Sequence, residues 1–242
     1  MSLSGRIALV TGGGRGIGAA IALGLAEAGA DVAIFYRRDT DAAAATVAKI
    51  EAMGRRARAY AAPVEDFDAC RDAVAAIGRD LGPIGILVNN AGFYRPNVPL
   101  EQMELALWQK HFAINTEGPF IGCREALRRM KGRDGVVLNI ASTAAIGGFI
   151  NGAAYSASKA ALAMLTRLAA KAGGPHGLRV NGIMPGATPT DMLRGNKLPG
   201  QSDDELYTML TAHHPMGRLA TPDDIARAAL FLCSDRASFI SG

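Results

Sequence analysis

The sequence has few cysteines and no long apolar run. Its three cysteines, Cys70, Cys123 and Cys233, are far apart and show no paired spacing. This pattern argues against a disulfide framework and against a zinc site, so we expect no metal. No apolar stretch reaches the length of a membrane span, and the first residues lack the basic start, apolar core and cleavage site of a secretory signal. We therefore expect a cytoplasmic protein that binds no membrane.

Charge of one sign is also scarce. The 26 basic and 22 acidic residues leave a formal net charge of +4, and the basic residues occur in short scattered groups. Such groups are typical of solvated helix faces and do not form the basic stripe of a nucleic-acid-binding protein. The composition, with 49% apolar and 6% aromatic residues, is that of a globular protein. We find no linker or repeat, and we expect a single domain over residues 1–242.

Short β-rich runs alternate with longer helical segments along the chain. This alternation predicts a parallel sheet covered by helices on both faces, with strand order 3-2-1-4-5-6 as in doubly wound folds. The predicted class is therefore an α/β protein with one Rossmann-type domain. The predicted strands are RIALVTG, DVAIFYR, RARAYAA, IGILVNNAG, GVVLNIAS and LRVNGIMPG, and the main helical segments are 16–29, 41–54, 67–82, 100–130 and 153–173.

The first predicted strand runs into the glycine-rich turn TGGGRGIG, and a helix follows at once. Its glycines Gly12, Gly16 and Gly18 fit neither G-x-G-x-x-G nor a P-loop, which would end in Gly-Lys-Ser/Thr. A strand, a glycine turn and a helix N-terminus nevertheless form the usual cradle for a dinucleotide pyrophosphate. Tight turns use glycine for positive φ in any case, so the prediction of a dinucleotide site depends on this context.

The second predicted strand ends in IFYRRD, where the adenosine ribose of a dinucleotide should lie. Tyr36, Arg37 and Arg38 stand there, and the carboxylate is displaced to Asp39. Arg15, in the glycine turn, can point to the same place. Guanidinium groups without a carboxylate suit a 2′-phosphate, which predicts a preference for NADP(H) over NAD(H). The alternative is that these arginines only solvate a loop.

Polar residues also follow the fifth predicted strand and begin the helix after it. Ser142 ends the strand, Tyr155 lies 13 residues further on, and Lys159 follows Tyr155 by one helical turn. Residues i and i+4 share a helix face, and ligands of open α/β sheets bind at the carboxyl ends of the strands. A hydroxyl, a phenol and an ammonium are therefore expected to meet in this crevice.

The segment at about residues 187–215 interrupts the alternation after the sixth strand. It is polar and contains GNKLPGQSDDE. Insertions over the carboxyl ends of strands are commonly lids or specificity loops. A surface excursion without a role is the alternative interpretation.

Taken in order, these motifs resemble those of the short-chain dehydrogenase/reductase family, and the resemblance covers nearly the whole chain. Within the family the chain is most similar to the 3-oxoacyl-acyl-carrier-protein reductase type. The motifs are TGGGRGIG, NNAG, Asn115 in INTEGPF, Ser142, YSASK and PGATPT.

The resemblance implies four catalytic residues. Tyr155 would protonate the carbonyl oxygen as hydride arrives at carbon, and Ser142 would hydrogen-bond the same oxygen. Lys159 would hold the nicotinamide ribose and lower the pKa of Tyr155, since a nearby cation stabilises a phenolate. Asn115 would hold a water molecule in a proton relay from Lys159 to solvent.

The resemblance also implies contacts to the cofactor and the substrate. Asn89, Ala91 and Gly92 would line the adenosine and ribose side, and Pro185, Gly186 and Thr188 would contact the nicotinamide end. The full expected cofactor set is Gly12, Arg15, Gly16, Ile17, Gly18, Tyr36, Arg37, Arg38, Val64, Asn89, Ala91, Gly92, Tyr155, Lys159, Pro185, Gly186 and Thr188. The expected substrate contacts are Ser142, Phe93, Phe149 and Met192.

The chain departs from the family pattern in three places. Pro63 and Val64 replace an Asp-Val pair, so only the Val64 backbone is expected near the adenine. Gly85 stands where an aspartate usually precedes the fourth strand. The seventh strand of the family is apparently missing after FLCSDRASFISG. If Gly242 is the true end of the protein, we expect an exposed sheet edge; a disordered tail is the alternative. The family implies a homo-oligomer, either a tetramer or a dimer.

The leading functional hypothesis is an NADPH-dependent oxidoreductase that reduces a ketone or oxidises the matching secondary alcohol. One alternative is an NAD-dependent alcohol dehydrogenase working in the catabolic direction. A second alternative, from a different class, is a catalytically silent cofactor-binding protein that acts as a sensor or scaffold.

Overall fold

A computed structural model describes residues 2–149 and 151–242, which form a parallel sheet with helices on both faces. The strand order is β3-β2-β1-β4-β5-β6, as predicted from the sequence. Every neighbouring pair of strands is parallel. The strands are β1 (Ile7–Thr11), β2 (Asp31–Tyr36), β3 (Ala57–Ala61), β4 (Ile86–Asn89), β5 (Val136–Ile140) and β6 (Arg179–Ile183).

The central strands are apolar because both of their faces are covered. All residues of β1, β4 and β5 are buried, whereas in the edge strand β3 (ARAYA) only Ala57 is buried and the other residues are partly or largely exposed. One layer of helices, α1, α2 and α10, packs on one face, and α3, α5 and α7 pack on the other. The helices are α1 (Gly16–Glu27), α2 (Thr40–Ala52), α3 (Phe67–Asp80), α4 (Leu105–Phe112), α5 (Gly118–Arg129), α6 (Ala144–Gly147), α7 (Ala153–Gly173), α8 (Asp191–Arg194), α9 (Asp203–Thr211) and α10 (Pro222–Cys233).

The segment 100–130, which the sequence pattern predicts as one helical stretch, is divided into several parts. A short 3₁₀ turn at Leu100–Gln102 precedes α4, and a π-helical turn at Ala113–Glu117 separates α4 from α5. Pro119 has no N–H to donate to the carbonyl one turn earlier. The widened turn before it lets the Gly118 N–H bond to the Ala113 carbonyl. The break matters because Asn115 lies within it.

The outer edge of β6 is partly covered, which corrects the expectation of a bare edge. The Gly242 N–H donates to the Val180 carbonyl at 2.8 Å, and the Asn181 side chain donates to the Ile240 carbonyl at 2.8 Å. The last described residues therefore lie along β6 through hydrogen bonds. In the described part of the chain, no helix is both long enough and apolar enough to cross a membrane.

Candidate active site

The carboxyl ends of β1, β4, β5 and β6 meet at one edge of the sheet, because neighbouring parallel strands are in register there. Ser142 lies two residues beyond β5, and Tyr155 lies in the first turn of α7. Lys159 follows one turn later on α7 and is buried. The structure therefore brings together the hydroxyl, phenol and ammonium groups that the sequence pattern placed in one crevice.

The Tyr155 phenol is enclosed on several sides. Burial raises its pKa, and a hydrogen bond with Ser142 opposes part of that rise. The ring of Tyr94 packs against it with centroids 4.6 Å apart. Desolvation is the largest effect on the phenol, so the pKa of Tyr155 is raised overall in this structure. The lowering expected from the nearby Lys159 cation stays a prediction.

The Lys159 ammonium has a backbone partner. Its Nζ donates to the Ile140 carbonyl at 2.7 Å and lies 5.9 Å from the centre of the Tyr155 ring. Complete burial lowers the pKa of Lys159 to about 8, because desolvation penalises the charged form. Nζ would lie 3.7 Å from a β-carbon on Gly92, so the chain after β4 comes close to the same point.

The Ser142 hydroxyl is oriented by the turn that starts α6. It accepts a hydrogen bond from the Ala144 N–H at 3.1 Å and is 8% exposed. One face of the hydroxyl is therefore held by the backbone while the other faces Tyr155.

Asn115 is fully buried in the π-helical turn, and both polar atoms of its side chain are hydrogen-bonded. Its Oδ1 accepts from the Phe93 N–H at 2.8 Å, and its Nδ2 donates to the Phe93 carbonyl at 2.9 Å and to Ser158 Oγ at 3.0 Å. Ser158 in turn donates to the Tyr155 carbonyl at 2.8 Å. The side chain thus ties the loop after β4 to α7.

The glycine turn fits a pyrophosphate. Gly12 and Gly16 have φ of +65° and +55°, and a β-carbon on Gly18 would lie 2.2 Å from the Gly12 carbonyl oxygen. The N-cap of α1, Arg15, makes no side-chain capping bond, and the first turn contains no acidic residue. The first N–H groups of α1, including that of Ile17, therefore face an open, electropositive helix end that suits an anion.

Three further residues shape this turn and were not singled out from the sequence. A β-carbon on Gly13 would lie 2.5 Å from Ile34 Cγ2, so only glycine fits there. Thr11 Oγ1 accepts from the Asn90 and Ala91 N–H groups at 3.0 Å each, and Asn90 Nδ2 donates to the Thr11 carbonyl at 3.0 Å. Asn90 is the second asparagine of the motif NNAG. The first, Asn89, lies on the other face of the sheet.

Asn89 is not in the crevice, which corrects its expected role at the cofactor. Its Nδ2 donates to Asn139 Oδ1 at 2.8 Å, and Asn139 donates to Thr166 Oγ1 at 2.9 Å, all inside the layer below the sheet. Side chains alternate across a strand, so Asn89 shares the face of Leu87, which packs against α3 and α5. Asn89 is a buried structural asparagine.

The arginines at the adenosine end are exposed, and two of them pair with carboxylates. Arg15 lies 3.9 Å from Asp39 and 3.4 Å from Asp191, and Arg37 lies 3.1 Å from Glu65. Across residues 2–149 and 151–242, Arg38 makes no ion pair. The sequence-based expectation of guanidiniums without carboxylates is therefore too simple, because Glu65 was not considered.

Asp39 is used locally as a helix cap. Its Oδ1 accepts from the Ala42 N–H at 3.0 Å at the start of α2. Tyr36, at the end of β2, is half-buried, and so is Val64, which packs closely against Gly118. These residues line the predicted adenosine end from β2 and from the chain after β3.

The chain after β6 closes the opposite end of the crevice. The Pro185 carbonyl accepts from the Thr143 N–H at 3.0 Å, and Thr188 Oγ1 donates to the Gly186 carbonyl at 3.2 Å. A β-carbon on Gly186 would lie 3.1 Å from His214 Nε2. This places Pro185, Gly186 and Thr188 beside the turn that carries Ser142.

The expected substrate contacts divide into two groups. Phe149 and Met192 are exposed apolar residues, at 49% and 42%. Phe93 instead packs its ring on His111, at 4.8 Å between centroids, beneath the Lys110 ammonium. Its neighbour Tyr94 is the residue whose ring contacts Tyr155. The substrate contacts expected of Phe93, Phe149 and Met192 stay predictions.

The segment 187–215 touches both ends of the crevice. It contains α8 and α9, and Ser202 starts α9 with a reciprocal capping box with Glu205. Thr190 would lie 3.2 Å from a β-carbon on Gly16, and Asp191 pairs with Arg15. His214 approaches Gly186 from the other side.

Comparisons with known proteins agree with this geometry. Residues 12–242 match the family model described as enoyl-(acyl carrier protein) reductase. The cis-4-hydroxycyclohexanecarboxylate dehydrogenase of Sinomonas cyclohexanicum is 37% identical over 98% of this chain and 92% of its own length. The acetoacetyl-CoA reductase of Shinella zoogloeoides is 37% identical over 98% of this chain and 94% of its own length.

A solved structure shows the same architecture. The short-chain dehydrogenase of Burkholderia cenocepacia J2315, crystallised with NADP, is 36% identical with a TM-score of 0.90, and the match covers 100% of this chain and 95% of that chain. The chain belongs to the short-chain dehydrogenase/reductase family. It is an NAD(P)-dependent oxidoreductase that acts on alcohols or ketones by hydride transfer.

Proposed function

We propose that the chain uses NADPH to reduce a ketone, with Tyr155 as the general acid. The observation that carries this proposal is the meeting of Ser142, Tyr155 and Lys159 at the end of β5, opposite an open helix N-terminus that suits a pyrophosphate. When bound, the nicotinamide supplies the hydride. The remaining steps belong to the chain's own residues.

The raised pKa of Tyr155 keeps the phenol in the protonated form that reduction requires. A phenol that stays protonated at neutral pH can donate its proton to a carbonyl oxygen as charge develops there. Ser142, held by the Ala144 N–H, would donate a second hydrogen bond to the same oxygen and fix its position.

Lys159 would grip the ribose hydroxyls beside the nicotinamide. Its Nζ lies between the Ile140 carbonyl and the Gly92 backbone, and it keeps donors beyond the one used by Ile140. With a pKa of about 8, most molecules carry the ammonium at neutral pH. Its charge would stabilise a Tyr155 phenolate formed during turnover.

Asn115 would act through its main chain. Its side chain ties Phe93 to Ser158, so we assign the relay water to the main-chain carbonyl. Pro119, four residues later, lacks the N–H that an α-helix would direct at this carbonyl. We propose that the relay runs from Lys159 through this water.

The preference for NADPH would rest chiefly on Arg38. It is exposed at the end of β2, while the carboxylate of Asp39 is engaged as the cap of α2. Arg15 and Arg37 would join the 2′-phosphate after exchanging their carboxylate partners for it. A phosphate offers more charge than a carboxylate, and paired guanidinium bonds suit its geometry.

The pairing of Arg15 and Arg37 with carboxylates favours one alternative function. If Asp39, Asp191 and Glu65 neutralise the arginines, the adenosine end accepts NADH as well, and the enzyme becomes an NAD-dependent alcohol dehydrogenase. The ratio of the dissociation constants for NADPH and NADH distinguishes the NADPH-dependent reductase from the NAD-dependent alcohol dehydrogenase. Tighter or equal NADH binding would remove the NADPH proposal.

Residues 1–242 would work as one domain, with the segment 187–215 as a lid over the crevice. Its contacts to Gly16 and Gly186 support this role, since they lie at opposite ends of the crevice.

We place the enzyme in the cytoplasm as a homo-oligomer, either a dimer or a tetramer. Exposed apolar residues on α5 and α7, namely Phe120, Met164 and Leu168, support association between copies.

The substrate would be a hydrophobic ketone. Ile146, Phe149 and Met192 expose apolar surface at the mouth of the crevice. The relatives named above act on a cyclic hydroxy acid and on an acyl thioester.

The experiment that tests the proposal measures NADPH and NADH oxidation against a panel of cyclic, open-chain and acyl ketones. Tight NADPH binding without turnover of any ketone would support the silent sensor or scaffold.

A further inference from the structure

We propose that Tyr94 is a positioning and specificity residue, and that the aromatic wall it forms selects ketones carried on a flat ring. This inference rests on the proposed ketone reduction and names its substrate class. Neither the motifs nor the relatives assign a role to Tyr94.

Tyr94 packs directly on the group that would protonate the substrate. Its ring centroid lies 4.6 Å from that of Tyr155, with the planes tilted by 43°. On the outer side, Phe149 lies 6.5 Å away at 42°. Gly152 leaves room for this arrangement, since a β-carbon there would lie 3.4 Å from the Tyr94 hydroxyl. The three rings form a continuous wall from the phenol to the mouth of the crevice.

The loop that carries Tyr94 is held by hydrogen bonds on both sides. The residue before it, Phe93, has its N–H and carbonyl bonded to Asn115 at 2.8 and 2.9 Å. The residue after it, Arg95, donates its N–H to His111 Nε2 at 3.3 Å. His111 is itself buried and bonded through Nδ1 to the Leu107 carbonyl at 2.9 Å. The Tyr94 ring is therefore positioned before any substrate arrives.

A pre-positioned aromatic wall favours flat substrates. Aromatic pairs are favourable at centroid separations of 4.5–7 Å, and a ring ketone whose oxygen reaches Tyr155 must lie along Tyr94. A rigid ring also loses less conformational freedom on binding than an alkyl chain of the same size. The exposed Phe149 extends the apolar contact outwards.

Tyr94 also shields the Tyr155 proton from water. The titratable or polar groups that face this phenol are Tyr94 from the loop after β4, Ser142 from the turn after β5, and Lys159 from α7. Removing the Tyr94 ring admits water, so the alkaline limit of the reduction rate should move to lower pH. A residue with only a structural role would leave that limit in place.

The test compares β-tetralone with methyl octyl ketone, which has the same number of carbons, in the wild type and in Tyr94→Ala, Tyr94→Phe and Phe231→Ala. The wild type should prefer β-tetralone. Tyr94→Ala should lower kcat/KM for β-tetralone by about tenfold, chiefly through KM, and change it by less than about twofold for the open-chain ketone. Tyr94→Phe keeps the ring and should keep the preference. Phe231→Ala, a half-exposed aromatic residue on α10, is the matched control and should change neither.

Equal losses on both ketones in Tyr94→Ala, or a wild-type preference for methyl octyl ketone, would overturn the inference while leaving ketone reduction intact. A wild type that reduces neither ketone nor any other member of the panel would instead overturn the proposed function. Binding of NADPH to Tyr94→Ala at wild-type affinity checks that the variant is folded.

Discussion

The two ends of the crevice hold their charged groups in opposite ways. At the reaction end, Lys159 is 3% exposed and its single ammonium is held by a backbone carbonyl. At the adenosine end, the Arg15 side chain is 65% exposed and shares two carboxylates. A buried charge is stabilised only by the few groups that contact it, so the free energy of the Lys159 ammonium depends strongly on its partners. An exposed ion pair contributes little free energy, and its members can exchange partners. We therefore expect substitutions at the reaction end to affect the rate strongly and those at the adenosine end to tune cofactor choice.

Tyr155→Phe should have the largest effect. It should lower the catalytic rate at the reaction end without changing cofactor binding at the adenosine end. Loss of the general acid is expected to lower kcat by about 10³-fold, while the Kd for NADPH stays within about twofold. Rapid-mixing kinetics and fluorescence titration of NADPH measure the two quantities. Tyr60→Phe, which removes a phenol from the edge strand β3, is the control and should retain full activity. Retained turnover in Tyr155→Phe would take the acid role from this residue.

Lys159→Met should weaken both the catalytic rate and the binding of NADPH. We expect kcat/KM to fall by about a hundredfold and the Kd for NADPH to rise, because the ribose contact and the cation beside Tyr155 are lost together. The pH optimum should move upward. Lys171→Met, in the last turn of the same helix, is the matched control. If Lys159→Met lowered only the stability, the residue would be structural.

Arg38→Ala tests the exposed end. The Kd for NADPH should rise by about tenfold and that for NADH should stay within about twofold, since only NADPH carries the 2′-phosphate. Isothermal titration with both cofactors measures the change. Arg58→Ala, another exposed arginine paired with Glu51, should alter neither constant. An equal weakening of both cofactors would contradict a phosphate-specific role.

Glu65→Gln should have a smaller effect of opposite sign. Releasing Arg37 from its carboxylate partner makes the guanidinium available to the 2′-phosphate, so NADPH should bind about threefold more tightly, within the range of an exposed ion pair. The same titration measures it, with Glu51→Gln as the matched control. Weaker NADPH binding in Glu65→Gln would show that the carboxylate orients Arg37 instead of competing for it.

A further prediction concerns stability and pH and leaves the cofactor aside. The folded-state pKa of Lys159 is lowered from 10.5 to about 8, so between these values the unfolded chain binds more protons and stability should rise with pH. The contribution is at most about 1.4 kcal/mol per pH unit. Urea unfolding of the wild type and Lys159→Met across this window measures it. Parallel pH profiles for the two proteins would contradict the buried ammonium.

The sequence predicts the reaction end well because its residues follow directly from periodicity. Lys159 lies one helical turn after Tyr155, and both follow a strand that must end at the crevice, so the fold leaves little choice of position. The strand order and the helices on both faces are confirmed for the same reason.

Other features of the site depend on three-dimensional contacts that the spacing of residues along the sequence does not reveal. Asn89 and Asn90 are neighbours in one motif, and only the strand alternation decides that Asn90 holds the glycine turn while Asn89 is buried below the sheet. Phe93 and Tyr94 are also neighbours, and only the structure shows that the Phe93 ring packs on His111 while the Tyr94 ring packs on Tyr155. The pair between Arg37 and Glu65 joins the ends of two strands, so it is not visible in either segment.

The oxidation of NADPH in the presence of a ketone panel, followed by the absorbance of the reduced nicotinamide, tests the central claim most directly. The account predicts turnover of at least one hydrophobic ketone, faster with NADPH than with NADH, and none in Tyr155→Phe. Tight NADPH binding with no turnover of any ketone, or equal turnover by Tyr155→Phe, would contradict it.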